Sequence, residues 1–400
     1  MRRRLTTALL GFCLLPACPT PIAVDAGPDA PGPDAFSSDA FIARTDANSD
    51  ANAPLATLTM NDVSVLWPMP TSGLTSDFIS VTAEGAHGPL LPGSAYVPIP
   101  QLVAFGAVAI GRLRVVAMRI DPCFRATTTG TCEPMVRLVA QPTSGPDGTS
   151  TGFADAAIHL HYPMSDAELR AFANEVAAAR HGMFQSAPLS VHPLLAAEGL
   201  TGTFANTLRT LILEHLGADR LSRITFTTRT NSRAAQWQFG RVDRVGSRFV
   251  RVDLEPVLGT PDLQTLTAGA AGGYAVDPES LAPDALTDLY DQSSTYLDVP
   301  VASRQALLDR AYAVLNPERH TAESIDCSSC HIAGHIARDA SDAWPTLTPT
   351  TRFSSTHALD TPTAPGQRDR IRAFGYFDQA PQVNQRTINE TAATLEALSH

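Results

Sequence analysis

The chain has 400 residues, of which 44% are apolar and 17% charged, with a formal net charge of −11. That balance describes a mostly globular protein of two or three domains' worth of chain, and it lacks the basic excess that a broad nucleic-acid footprint needs. All 29 basic residues are Arg. Without a lysine there is no Walker A lysine, no Schiff-base lysine for pyridoxal phosphate and no kinase-type phosphate lysine.

Residues 1–18 read as an export signal. Arg2, Arg3 and Arg4 form a cationic start, and Leu5 to Leu15 form an apolar run too short for a ~20-residue membrane span. The run ends in Leu15-Pro16-Ala17-Cys18, which resembles the lipobox of bacterial lipoproteins. That resemblance implies cleavage before Cys18 and its lipidation, giving an exported protein held on a bacterial membrane, with the outer membrane facing the periplasm or the cell surface expected. The alternative is an ordinary secretory signal. Residues 19–54 read as a disordered tether. Asp-Ala recurs at Asp25, Asp29, Asp34, Asp39, Asp46 and Asp50, and six Asp against one Arg leave it at −5. Such a segment buries too little to offset its ordering entropy and extends by self-repulsion.

Residues 55–280 read as a β-rich to α+β body. Strands are expected at Phe78–Val81, Leu113–Ile120, Val136–Ala140, Ala156–Tyr162, Ile224–Arg229 and Phe249–Leu254. Ser165 and Glu168 form a capping box for a helix ending near Gly182, and Asn206–Leu216 is a second helix. Cys123 and Cys132 flank a Thr/Gly loop and read as a disulfide in an oxidising compartment. Gly148-Thr-Ser150-Thr-Gly152 matches the nucleophile-elbow pattern but lacks its strand–turn–helix flanks. His159 and His161 alternate along one strand face; with no third ligand identifiable they read as a packed or solvated face.

Residues 281–400 carry Cys327-Ser-Ser-Cys330-His331, the attachment signature of c-type haem. Two thiols about one helical turn apart can each add to a haem vinyl, and the following imidazole then supplies an axial nitrogen. Here the chain resembles the c-type cytochromes. The resemblance implies one covalent haem c held by Cys327 and Cys330, His331 as metal ligand, a mainly α-helical cytochrome c-like domain, and one-electron transfer to a redox partner protein in the envelope, a carrier more than a catalyst. Helices are expected over 303–315 and from a capping box at Thr387–Glu390. No Met follows Met183, so the sixth ligand is expected from His357 or His320. Ile332, Ile336, Trp344, Leu347, Phe353, Ile371, Phe374, Tyr376 and Phe377 are candidate haem walls. Arg368, Arg370 and Arg372 are either propionate partners or a solvated cluster. Three other readings stand: a Cys327–Cys330 disulfide in a non-redox binding or structural lipoprotein, a zinc site of Cys327, Cys330, His331 and His335, and a haem enzyme or gas sensor with an open distal site.

Overall fold

The computed structural model describes residues 58–72, 75–99, 110–122, 133–145, 150–180, 187–230, 235–259, 261–269, 273–286, 296–321, 323–357 and 370–399. In chain order it begins with α1 (Met60–Val63), β1 (Ser64–Leu66), β2 (Ile79–Ser80), β3 (Glu84–Gly85), β4 (Gly88–Pro89) and α2 (Gly93–Tyr96). Then come β5 (Leu113–Asp121), β6 (Met135–Pro142), β7 (Ala156–Pro163), α3 (Asp166–Ala179), α4 (Pro193–Glu198) and α5 (Thr203–His215). They are followed by β8 (Arg223–Arg229), β9 (Gln236–Val245), β10 (Arg248–Val252), β11 (Leu263–Ala268) and β12 (Tyr274–Asp277). The last part holds α6 (Val301–Leu315), α7 (Cys327–Ala343), β13 (Phe374–Phe377), β14 (Ala380–Val383) and α8 (Gln385–Leu398). The signal, the tether, Cys18, Cys123, Cys132 and Arg368 lie outside the described residues. No described helix is long and apolar enough to cross a membrane.

Ten strands make one antiparallel sheet in the order β1-β5-β6-β7-β8-β9-β11-β12, with β2 also paired to β5 and β10 to β9. Side chains alternate across a strand, so each strand has an even-numbered and an odd-numbered face. Val136, Leu138, Ile158, Leu160, Tyr162, Ile224, Phe226 and Val242 form the even face, buried in one core with Leu169, Phe172 and Val176 of α3 and Phe204, Leu208 and Ile212 of α5. The α3 capping box forms as expected: Ser165 accepts from the Glu168 amide, and Glu168 reaches back to the Ser165 backbone. Gly240 lacks a side chain where one would strike the Phe226 ring, 2.2 Å from a Cβ.

The odd face carries a different set. Arg119, Arg137, His161, Arg223 and Asp243 pair strand to strand in one row, and Ala117, Val139, His159, Thr225 and Arg241 in the next. Thr227 and Phe239 continue it, with Gln264 beside Phe239. This face bears on α7 and α8: Phe239 touches His331, and Arg119 pairs with Glu390.

The mainly α cytochrome c-like domain expected over 281–400 does not form, and this corrects the fold class. Helices α6 and α7 bury Leu308, Ala311, Ile332 and Ile336 in one cluster with Trp237, Phe239 and Leu266 of the sheet. Helix α8 buries Ile388, Ala392 and Leu395 in the main body core with Val63 and Val65. Between them sits a β13–β14 hairpin, clamped by the fully buried Gln141, which accepts from the Tyr376 amide at 2.6 Å and donates to its carbonyl at 2.9 Å. Three helices with amphipathic faces had no need to form their own core while a ten-stranded sheet offered one. All described residues belong to one compact unit.

Candidate functional site

Asp326 caps α7, its carboxylate accepting from the Ser329 amide at 3.1 Å, so Cys327 and Cys330 fall in the first turn and His331 directly after. Gln264 steadies the same turn from the sheet, accepting from the Ser328 amide at 3.0 Å. The Leu286 amide donates to Ser329 Oγ at 3.2 Å. The turn carrying the motif is therefore held by its own N-cap and by two groups distant in sequence, Gln264 and the Leu286 amide.

Cys327 and Cys330 are partly buried, unbonded thiols. Burial pushes the Cys327 thiol up to about 12 and the Cys330 thiol to about 11, with neighbouring Asp326 adding to both. Both are protonated and make poor thiolate ligands. Among the described residues no group of three or more His, Cys, Asp or Glu can hold a metal ion by itself. His335, the fourth member of the zinc reading, is engaged: its Nε2–H donates to the Arg370 carbonyl at 3.1 Å and its Nδ1 accepts from Arg338 at 3.3 Å.

His331 is set differently. Its Nδ1–H donates to the Ile371 carbonyl at 2.8 Å, which fixes the tautomer and leaves the Nε2 lone pair available. Its ring lies 4.9 Å from that of Phe239. Burial lowers its pKa to about 4, with Arg372 adding to the effect against the Ile371 hydrogen bond, so the ring is neutral. A neutral imidazole oriented by a backbone carbonyl is the usual arrangement of a metal-ligating histidine. Two free thiols and this imidazole are the residue types that covalent haem attachment uses.

The other histidines divide clearly. His320 Nε2 pairs with Asp284 at 2.9 Å and its Nδ1 with Ser324 Oγ at 3.2 Å. His357 is exposed on a bend, and its backbone amide donates to Ser355 Oγ at 3.1 Å. His159, by contrast, projects from β7 on the α7 side of the sheet. Burial first, then Arg137 and His331, keep it neutral, and its ring makes no hydrogen bond to another described residue. His161 beside it contacts Thr225 Oγ1 and the Met135 sulfur, both at 3.3 Å.

Two cavities lie among the described residues, and the smaller has His331 of the motif in its wall. The larger, about 330 Å³, is walled by Arg137, His161, Arg223, His320, Arg386 and Glu390 among others. The smaller, about 210 Å³, is walled by His331, His335, Arg338, Arg352, Arg370 and Arg372 among others. At the heart of the larger one Glu390 meets Arg386 at 2.7 Å, Arg119 at 2.8 Å and Arg137 at 3.8 Å. Burial works to raise its pKa, and the three guanidinium groups outweigh that and hold it well below the usual carboxylate range. Glu390 is thus a buried counter-ion in the fifth position after Gln385, not the closing member of a capping box. The cap of α8 is Asn384, which accepts from the Thr387 amide at 2.8 Å.

The expected wall residues separate. Ile332, Ile336, Trp344 and Ile371 lie in the α7 cluster, with Leu347 against it, whereas Phe353, Phe374 and Tyr376 belong to the body core. Phe377 lies under Arg370, 4.7 Å from its guanidinium. Ser150 of the elbow-like pattern is buried in a turn, donating to the Gly152 carbonyl at 2.8 Å. Comparison with protein-family models, curated proteins and solved structures returned no match to this chain.

Proposed function

We propose that this chain carries one covalently attached haem c and works as a one-electron carrier, lipid-anchored through Cys18 to the envelope of a bacterium, serving a redox partner protein there. The observation that carries the reading is the His331 Nδ1–Ile371 carbonyl hydrogen bond beside two protonated thiols one turn apart. Cys327 and Cys330 would hold the group through two thioether bonds, each thiol giving its sulfur to one vinyl carbon and its proton to the other with no external oxidant consumed. When bound, the group supplies a one-electron iron couple whose potential follows axial ligation and burial. The protein's part would be to present His331 Nε2 and to exclude water with Phe239 and Ile332. His159, close enough for His331 to affect its charge, would be the candidate second histidine, since His320 has both nitrogens engaged and His357 is exposed.

The test is exported expression alongside haem-maturation machinery, read by intact mass and by visible spectrum. The expected mass carries one added porphyrin, and the Soret band survives acid–acetone extraction. Cys327→Ala with Cys330→Ala abolishes both. A mature mass without the porphyrin would overturn the reading and leave the anchored binding lipoprotein. In the loaded protein His159→Ala shifts the low-spin bands and His357→Ala does not.

A further inference from the structure

The smaller cavity next to His331 has a composition that the electron-carrier reading does not require. Arg338, Arg352, Arg370 and Arg372 line it, and no carboxylate is among its described lining residues. Carboxylates outside the cavity wall meet two of them: Arg372 donates to Asp155 at 2.9 Å, and Arg338 lies 3.9 Å from Asp339. Arg370 makes no ion pair among the described residues; its guanidinium rests on the Phe377 ring and its Nε is buried without a hydrogen bond. The side-chain amide nitrogen of Gln382, in a residue only 4% exposed, is likewise buried on the cavity wall with no hydrogen-bond partner. A buried amide donor left unsatisfied is costly, so a fold that keeps one beside several cations has a reason to. Asn384 and Gln385, where α8 begins, complete the wall, adding the positive end of a helix of fourteen residues.

We infer that this cavity is a binding site for a small oxyanion, a carboxylate or phosphate group held by Arg370 and the Gln382 amide, with Arg338 and Arg352 setting the field. Guanidinium groups suit such anions because their donors form a planar fork matched to two oxygens. The space of about 210 Å³ limits the occupant to a small molecule or one end of a larger one. Two sources carry this chemistry: a free dianion, or the propionates of an attached haem. The inference does not depend on the haem, since every group it uses belongs to the chain itself.

The experiment uses the full chain with Cys327→Ala and Cys330→Ala, which no haem can attach to, titrated calorimetrically with inorganic phosphate and with succinate. Saturable binding of either probe is expected, weakened at least tenfold by Arg370→Met and measurably by Gln382→Leu, with thermal unfolding confirming that each variant is folded. Absence of saturable binding for both probes, or binding indifferent to Arg370→Met in a folded variant, would overturn the inference. In haem-loaded chain, loss of the phosphate or succinate signal identifies the propionates as occupant, and its retention identifies a free solute. Failure to obtain any loaded chain sinks the haem reading alone, because the anion titration is read on protein without it.

Discussion

At the scale of single residues, Glu390 decides more than any other side chain around the site. It compensates three guanidinium groups that come from β5, β6 and α8. Removing one partner of a buried ion pair costs about 3–5 kcal/mol because the remaining charges lose compensation. Glu390→Gln is therefore expected to destabilise the protein by that order, read as a lower urea midpoint with unchanged slope. The pH dependence has a definite sign. Glu390 titrates lower in the fold than its unfolded value of ~4.3, so its contribution is present above that value and is lost as pH falls below it. His161 is held well below the ordinary value, by burial first and then by Arg137 and His159. It stays neutral in the fold while the unfolded chain takes up a proton near ~6.5. Stability should thus begin to fall just below that pH. His161→Gln flattens the upper part of the acid limb and Glu390→Gln the lower part, which denaturant midpoints measured across pH will separate.

At the scale of elements, α7 shows how local and tertiary signals combine. Its N-terminus is written locally in Asp326, and its period in Ile332, Ile336 and Ala340. Its position is set by Gln264, whose amide also reaches the Pro278 carbonyl at 3.3 Å and Asp326 at 3.4 Å. Gln264→Leu leaves the buried Ser328 amide without its acceptor, an expected loss of about 1–3 kcal/mol. Hydrogen exchange at Ser328 and Ser329 should quicken more than in the middle of the helix. An unchanged rate there would show that Asp326 alone holds the turn. The strand faces were readable only by halves. Alternation along β6, β7 and β8 marks two faces, but it does not say that Arg137, His159 and Arg223 would lie under a helix rather than under water. Glu390 was misread for a related reason: Thr387–Glu390 has capping-box spacing, while the true start at Asn384 lies three residues earlier and uses a side chain with no acidic partner.

At the scale of the molecule, the C-terminal third is part of the body. Arg386 donates to the Val314 carbonyl at 2.7 Å and Asn389 to that of Leu315 at 2.9 Å, so α8 closes the end of α6 while burying its own apolar side in the main core. Residues 281–400 expressed alone are expected to lack a cooperative thermal transition, since Trp237, Phe239 and Leu266 supply the surface that α6 and α7 rest on. A sharp transition in that fragment would restore the independent-domain view.

The sequence alone determined what depends on neighbours in the chain: the Cys-x-x-Cys-His spacing, the α3 capping box, the strands β5 to β8 and the helical period near 303–315, but not β9. Those signals are local because a turn of helix or a pleat is completed within a few residues. Only the tertiary structure decided that the motif helix lies on a polar sheet face, that His159 rather than His357 faces it, and that Arg338, Arg352, Arg370 and Arg372 share one cavity wall. Those facts join residues tens to hundreds of positions apart. Burial and pairing select among such arrangements, and no short-range period records the choice.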